Sequence, residues 1–67
     1  MMAIQVNGEA FEVAEGTTLA TLIATRGLEP QQVATEVNLE LVPRGNRDGV
    51  VLAPGDRIEL VTMVGGG

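Results

Sequence analysis

The chain has 67 residues, with nine glycines, one phenylalanine and neither cysteine nor histidine. A chain of this length forms one domain at most, and the missing residue types exclude disulfides, a thiolate nucleophile and imidazole ligands for a metal. Nine carboxylates against four basic residues give a formal net charge of −5, which disfavours nucleic acid and anionic membranes and either favours a basic protein partner or only aids solubility.

Two segments near the N-terminus have the alternation of a β-hairpin. Residues 3–7 and residues 9–13 each alternate apolar and polar side chains, which predicts two half-buried strands. The pair Asn7-Gly8 between them is typical of a type I′ turn, whose two central residues need positive φ. In the second strand we expect Phe11 and Val13 to face the core.

A short helix follows the hairpin. Leu19, Leu22 and Ile23 are spaced i, i+3 and i+4 and therefore form one apolar stripe. A hydroxyl of Thr17-Thr18 can cap the first turn, and Gly27 stands where a glycine commonly ends a helix. This pattern predicts a helix of about eight or nine residues, which is too short to be stable without packing on a sheet.

The second half of the chain contains shorter elements separated by turn residues. Residues 28–32 form a connection, with one helical turn starting at Pro30. Residues 33–38 and 40–42 predict a third and a fourth strand, and Pro43 indicates that the fourth lies at an edge or ends there, because proline cannot donate to a partner strand. Residues 45–49 predict a loop.

The final strand carries the C-terminal residues. Residues 53–56 predict a tight turn with Pro and Gly in type II positions, and residues 57–63 predict the last strand, with Ile58 and Leu60 facing the core. The same alternation turns Val61 and Met63 outward. Exposed apolar side chains beside the C-terminus indicate either a partner-docking patch or a second covered face.

This order of elements predicts an α+β fold. A sheet of four to five strands with one helix packed across it satisfies the burial requirement of both. A right-handed crossover makes the first and last strands parallel neighbours at the centre of a mixed sheet, which is the β-grasp layout. We expect residues 1–63 to form this domain and residues 64–67 to form a flexible C-terminal glycine tail.

No side chain is a strong candidate for catalysis. Glu36 and Glu40 lie on separate predicted strands, and the pattern predicts no burial that would suit a carboxylate for acid–base work. The sequence contains no serine, and its threonines have no base beside them. We therefore expect no enzyme active site, no metal site and no cofactor bound by the chain itself.

The C-terminal residues Val64, Gly65, Gly66 and Gly67 are the exception. A segment without side chains can enter a narrow channel and let a nucleotide or another backbone approach closely. The α-carboxylate of Gly67 is ionised at neutral pH and a poor electrophile, so a partner must activate it, most simply as an acyl-adenylate made from ATP. The alternative is a frayed terminus without a function.

Four stretches together resemble a known family: the Asn7-Gly8 hairpin, Val37-Asn38 with Leu-Val-Pro-Arg at 41–44, residues 52–61, and Val64 followed by the glycines at 65–67. Over its whole length the chain is similar to the ThiS family of sulfur carrier proteins in thiamine biosynthesis, within the ubiquitin-like β-grasp superfamily. The residue equivalent to the reactive glycine of that family is Gly67, and Gly66 is the penultimate glycine of its motif.

The resemblance implies a function that other proteins complete. An adenylating enzyme would bind the tail and join the carboxylate of Gly67 to AMP, and a persulfide sulfur donor would then convert it to a thiocarboxylate. Thiazole synthase would accept that sulfur. ATP would be used by the adenylating enzyme and not by this chain.

Two other functions fit the same features. The small subunit of molybdopterin synthase shares the fold, the glycine tail and the thiocarboxylate chemistry, although those carriers tend to be longer. A non-reactive β-grasp interaction module would need no free glycine end. The sequence shows neither a basic leader nor a membrane-spanning run, so we expect a cytoplasmic location.

Overall fold

The computed structural model describes residues 1–63, which form a five-stranded mixed sheet with one helix across one face. The strands are β1 (Met2–Val6), β2 (Glu9–Val13), β3 (Val33–Val37), β4 (Glu40–Leu41) and β5 (Arg57–Thr62), and helix α1 spans Leu19–Thr25. Two 3-10 helices, Pro30–Gln32 and Arg44–Gly49, complete the elements. The α+β fold and the β-grasp layout predicted from the sequence are confirmed.

The two terminal strands lie side by side at the centre of the sheet. The strand order is β2-β1-β5-β3-β4, and β1 pairs with β5 in parallel through Val6 and Ile58. All the other pairings are antiparallel. Strand β4 lies at an edge and ends before Pro43, as the missing donor of proline predicts.

The core lies between α1 and the sheet. Leu19, Leu22 and Ile23 of the helix are each at most 1% exposed, so the apolar stripe of α1 is the face that packs. They pack against the inward side chains of the strands and of Leu52 in the loop that precedes β5. The residues of the sheet and loop in this core are Met2, Ile4, Val6, Val13, Val33, Leu52, Ile58 and Leu60. This packing stabilises a helix of only seven residues, which would be marginal alone in water. No helix within residues 1–63 has the length and apolarity needed to cross a membrane.

Two asparagines end the strands that flank β5. Asn7 has φ 52° and Asn38 has φ 53°, a conformation that asparagine tolerates better than most residues. The Asn7 side chain accepts from the Leu60 N–H at 2.7 Å and donates to the Leu60 carbonyl at 3.1 Å. The Asn38 side chain accepts from the Arg57 N–H at 3.0 Å. Each side chain therefore continues the backbone pairing with β5 beyond the end of its own strand.

Several predicted boundaries differ from the structure. Helix α1 has seven residues instead of eight or nine, and β3 ends at Val37 because Asn38 turns to positive φ. Strand β4 ends at Leu41, one residue early, although the Val42 N–H still donates to the Thr35 carbonyl. The predicted loop at 45–49 is part of the 3-10 helix Arg44–Gly49, which is anchored by one buried side chain described below.

Replacing Asn7 should test how much the fold depends on these side-chain bridges. Asn7→Ala removes two hydrogen bonds and puts at positive φ a residue that tolerates this conformation less well than Asn, so we expect the free energy of unfolding to fall by about 2–3 kcal/mol. Asn7→Gly removes the same hydrogen bonds without the backbone strain and should cost about 1 kcal/mol less. Urea unfolding measures both. Equal losses for the two variants would contradict a contribution from backbone strain.

Candidate functional site

The face of the sheet opposite α1 carries exposed side chains from three neighbouring strands. Leu41 of β4 pairs with Glu36 of β3, and Glu36 pairs with Glu59 of β5. Two residues further along β5, Val61 lies opposite Ala34. Residues two apart on a strand point to the same side, so these side chains share one face, which we call the outer face.

Apolar side chains on the outer face are well exposed. Leu41 is 69% exposed, Val61 58% and Met63 52%. We call these three residues the outer patch. The outward orientation that the alternation predicts for Val61 and Met63 is observed, whereas their role in docking a partner stays a prediction. Glu36 separates Leu41 from β5, whereas Val61 and Met63 are two residues apart along the chain. Contiguous exposed apolar surface commonly marks contact with another molecule.

Carboxylates border the outer patch. Glu36 and Glu59 are exposed and lie directly opposite each other on β3 and β5, an arrangement in which like charges repel. Arg57 brings a positive charge to the same face at the start of β5. A partner that places an Arg or Lys between the two glutamates would relieve their repulsion, so the face suits a basic surface with an apolar centre.

Met63 directly precedes the four C-terminal residues, and its backbone is hydrogen-bonded to the sheet. Its N–H donates to the carbonyl of Gln32 at 2.6 Å, which continues the pairing that joins Thr62 to Val33. The predicted site residues Val64, Gly65, Gly66 and Gly67 lie outside the described residues. Their role, and the predicted boundary between residues 1–63 and the tail, therefore stay predictions.

One buried charge was missed by reasoning from the sequence. Arg47 lies in a stretch of Gly, Asn and Asp that predicts a solvent-exposed loop, yet only 5% of its surface is exposed. It donates from Nη1 to the Pro30 carbonyl at 2.9 Å and from Nη2 to the Val33 carbonyl. Burial, together with the nearby Arg44, lowers the pKa of the Arg47 guanidinium. No local pattern distinguishes this arginine from an exposed one.

The described residues offer little to support catalysis. Glu36 and Glu40 lie on paired neighbouring strands, and both are exposed. No group of three or more Asp or Glu side chains within residues 1–63 is arranged to hold a metal ion. Two surface depressions of about 190 Å³ flank α1, one toward β2 and one toward Arg44 and Arg47. The features most relevant to function are thus the outer patch and the point at which residue 64 begins.

Comparison with known proteins gives consistent results. The model of the ThiS family matches residues 4–67. The crystal structure of the thiamine biosynthesis protein ThiS from Geobacter metallireducens superposes with a TM-score of 0.84 at 29% identity, covering 98% of this chain and 100% of that one. This likeness confirms the ubiquitin-like β-grasp fold.

Two sequence relatives are much longer proteins. A thiazole synthase of Magnetococcus marinus is 44% identical over 66 residues, and a thiazole synthase of Paramagnetospirillum magneticum is 35% identical over 66 residues. In both cases the match covers 98% of this chain and 20% of the relative. The chain therefore spans about a fifth of the length of these two relatives.

A matched pair of substitutions should show that the outer patch is not needed for folding. Val61→Thr changes an exposed side chain, so we expect the free energy of unfolding to stay within about 0.5 kcal/mol of wild type. Val33→Thr makes the same change on the adjacent strand at a residue that is 2% exposed, and burying the hydroxyl should cost about 1–3 kcal/mol. Urea unfolding compares the two, and a large loss in Val61→Thr would contradict the assignment of that face as free surface.

Proposed function

The chain belongs to the ThiS family, and on that basis we propose that it is a sulfur carrier protein of thiamine biosynthesis whose reactive group is the α-carboxylate of Gly67. The proposal makes the chain a co-substrate of other enzymes and not an enzyme itself. Its folded part would serve to present the C-terminal glycines to those enzymes. The absence of cysteine and histidine from the sequence agrees with chemistry that uses no side chain of this protein.

The proposed reaction begins at an unreactive group. An ionised carboxylate is a poor electrophile, so an adenylating enzyme would transfer AMP from ATP to an oxygen of the Gly67 carboxylate and release pyrophosphate. The terminal sulfur of a persulfide would attack the carbonyl carbon and expel AMP, which leaves an acyl disulfide. A thiol would then reduce the S–S bond and release the thiocarboxylate, whose sulfur thiazole synthase would accept.

The observation that best supports this function is the position of Met63. Met63 is hydrogen-bonded to Gln32 at the end of the central strand, and its side chain belongs to the outer patch. A partner that covers the outer patch therefore already lies next to residue 64. Four extended residues reach at most about 14 Å, so the active site of such a partner would need to lie within about that distance of the docked face.

The relatives support one partner in particular. In the two thiazole synthases that match this chain, the similar stretch makes up 20% of a longer protein. In such a relative, the similar stretch and the rest of the enzyme are covalently linked, so each is present at a high effective concentration relative to the other. This linkage supports docking of the present chain on a thiazole synthase. The net charge of −5 and the facing glutamates suit a basic surface on that partner.

Intact-mass spectrometry tests the proposed chemistry. Incubation with ATP, a persulfide donor, a reducing thiol and the adenylating enzyme of the same organism should replace one oxygen of the Gly67 carboxylate by sulfur and raise the mass by about 16 Da. Fragmentation should place the change on Gly67. A chain that lacks Gly67 should gain much less sulfur, because its terminal carboxylate, now on Gly66, would not reach the ATP bound in the active site of the adenylating enzyme.

The outcomes separate the candidate functions. An unchanged mass under these conditions would count against any sulfur carrier and would favour a non-reactive β-grasp interaction module. If the thiocarboxylate forms but thiazole synthase does not consume it, while molybdopterin synthase does, the pathway assignment is wrong. Consumption by thiazole synthase, measured as return of the original mass, is the expected result.

The outer patch should determine affinity for the partner. Val61→Gln with Met63→Gln removes apolar contact area, and burying those side chains is worth about 1.5–3 kcal/mol each when complete. We therefore expect the Kd for thiazole synthase to rise at least about tenfold, as isothermal titration calorimetry would measure. Val51→Gln is the control, because Val51 is 60% exposed but lies beside Thr18, away from the outer face. Equal effects of the two variants would argue against docking through the outer patch.

A further inference from the structure

The backbone that anchors Met63 is itself held by the guanidinium of Arg47. Gln32, whose carbonyl accepts the Met63 N–H, is the last residue of the first 3-10 helix and directly precedes β3. Arg47 donates to the carbonyl of Pro30 on one side of Gln32 and to the carbonyl of Val33 on the other. The two Nη groups of one planar guanidinium thus hold the chain at Pro30, two residues before Gln32, and at Val33, directly after it.

Burial of the Arg47 guanidinium carries an unfavourable desolvation free energy. Within the described residues, the Arg47 side chain donates to carbonyl oxygens and to no carboxylate, and its buried Nε has no partner. A guanidinium has five N–H donors, and the donor at Nε is buried here without a hydrogen bond to any described residue. A buried charge without a counter-charge is commonly matched or exceeded in stability by an apolar side chain of similar size.

The two Nη groups of Arg47 form a planar fork that bonds two carbonyls at once, and this geometry is a reason for an arginine at this position. An apolar side chain at position 47 would fill the same space beside α1, but it could not bond the carbonyls of Pro30 and Val33, which lie on either side of Gln31 and Gln32. We propose that Arg47 is a positioning residue: it fixes the junction of the first 3-10 helix and β3, and through Gln32 and Met63 it fixes the point from which residues 64–67 continue. The chemical consequence of this inference rests on the proposed function.

The consequence for the reaction follows from the position of Met63, because the chain continues from this residue to the reactive carboxylate of Gly67. A reacting group that is misplaced by about 1 Å can lose about 100-fold in rate. If the Gln32 junction shifts, Met63 shifts with it, and the carboxylate of Gly67 enters the partner's active site from a different origin. Arg47 would therefore act on the rate of loading at saturation more than on the affinity of docking, because the outer patch contributes that affinity.

Amide hydrogen exchange at Met63 tests the positioning role without any partner enzyme. In Arg47→Met, we expect the Met63 N–H to exchange at least about tenfold faster relative to the Leu60 N–H, while Leu60 reports the intact core. Arg44→Met is the matched control, since Arg44 lies on the same 3-10 helix and is exposed. It should leave the ratio unchanged. An unchanged ratio in Arg47→Met, or an equal change in both variants, would overturn the proposal.

A second variant covers the case in which Arg47→Met does not fold. A lysine at this position can donate to one carbonyl but cannot span both in a planar fork, so Arg47→Lys should give an exchange ratio between wild type and Arg47→Met. If Arg47→Lys folds and its ratio equals that of wild type, the two-carbonyl fork is not needed and the proposal is wrong.

The loading reaction provides the last measurement. When a folded Arg47 variant is the substrate of the adenylating enzyme, we expect kcat for adenylation and sulfur transfer to fall while KM stays close to the wild-type value. Partial unfolding of the variant would instead lower the concentration of usable substrate, which raises the apparent KM and leaves kcat unchanged. A normal kcat alongside accelerated Met63 exchange would overturn the catalytic consequence. If wild type itself is never loaded, the proposed function fails, and the exchange experiment still decides whether Arg47 positions Met63.

Discussion

The parallel pairing of β1 with β5 is the interaction on which the rest of the molecule depends. It places the last strand between the first and third strands, so β5 is hydrogen-bonded on both edges, and Asn7 and Asn38 extend that pairing at its ends. Packing of α1 on the same strands buries Ile58 and Leu60. As a result, Met63, the last described residue, directly follows a strand that is paired on both sides. The origin of residues 64–67 is therefore defined, even though a C-terminus is ordinarily among the least ordered parts of a small domain.

The same sheet separates the stabilising residues from those left for recognition. Ile58 and Leu60 of β5 belong to the core, and the other residues of the strand, Arg57, Glu59, Val61 and Thr62, are exposed. Within residues 1–63, α1 covers one face of the sheet and no helix or strand covers the opposite face. Its apolar and acidic side chains contribute little to folding, which leaves them free to complement a partner. If the outer face docks a partner as proposed, recognition would use side chains that are not part of the core formed by residues 1–63.

Local sequence patterns were enough to predict those elements that depend on residues close together in the sequence. The Asn7-Gly8 turn, the stripe of α1 and the alternation of β5 each depend on residues within a few positions of one another. The central parallel pairing also followed, because handedness and burial restrict how the termini can meet. The role of Arg47 could not be predicted, since its partners lie 14 and 17 residues earlier and its neighbours are typical of an exposed loop. The Gln32–Met63 hydrogen bond likewise depends on strand register, which no single segment encodes.

Strand β4 affects how this molecule can be recognised. It has two residues and ends before Pro43, so its free side presents few backbone donors and acceptors to an incoming strand. Edges of this kind resist growth of the sheet by addition of another chain. On this side of the molecule, contact must depend on side chains such as Leu41, and side chains can be exchanged without disturbing the ladder beneath them. The surface is therefore open to adaptation toward different partners, while the hydrogen-bonded framework remains unchanged.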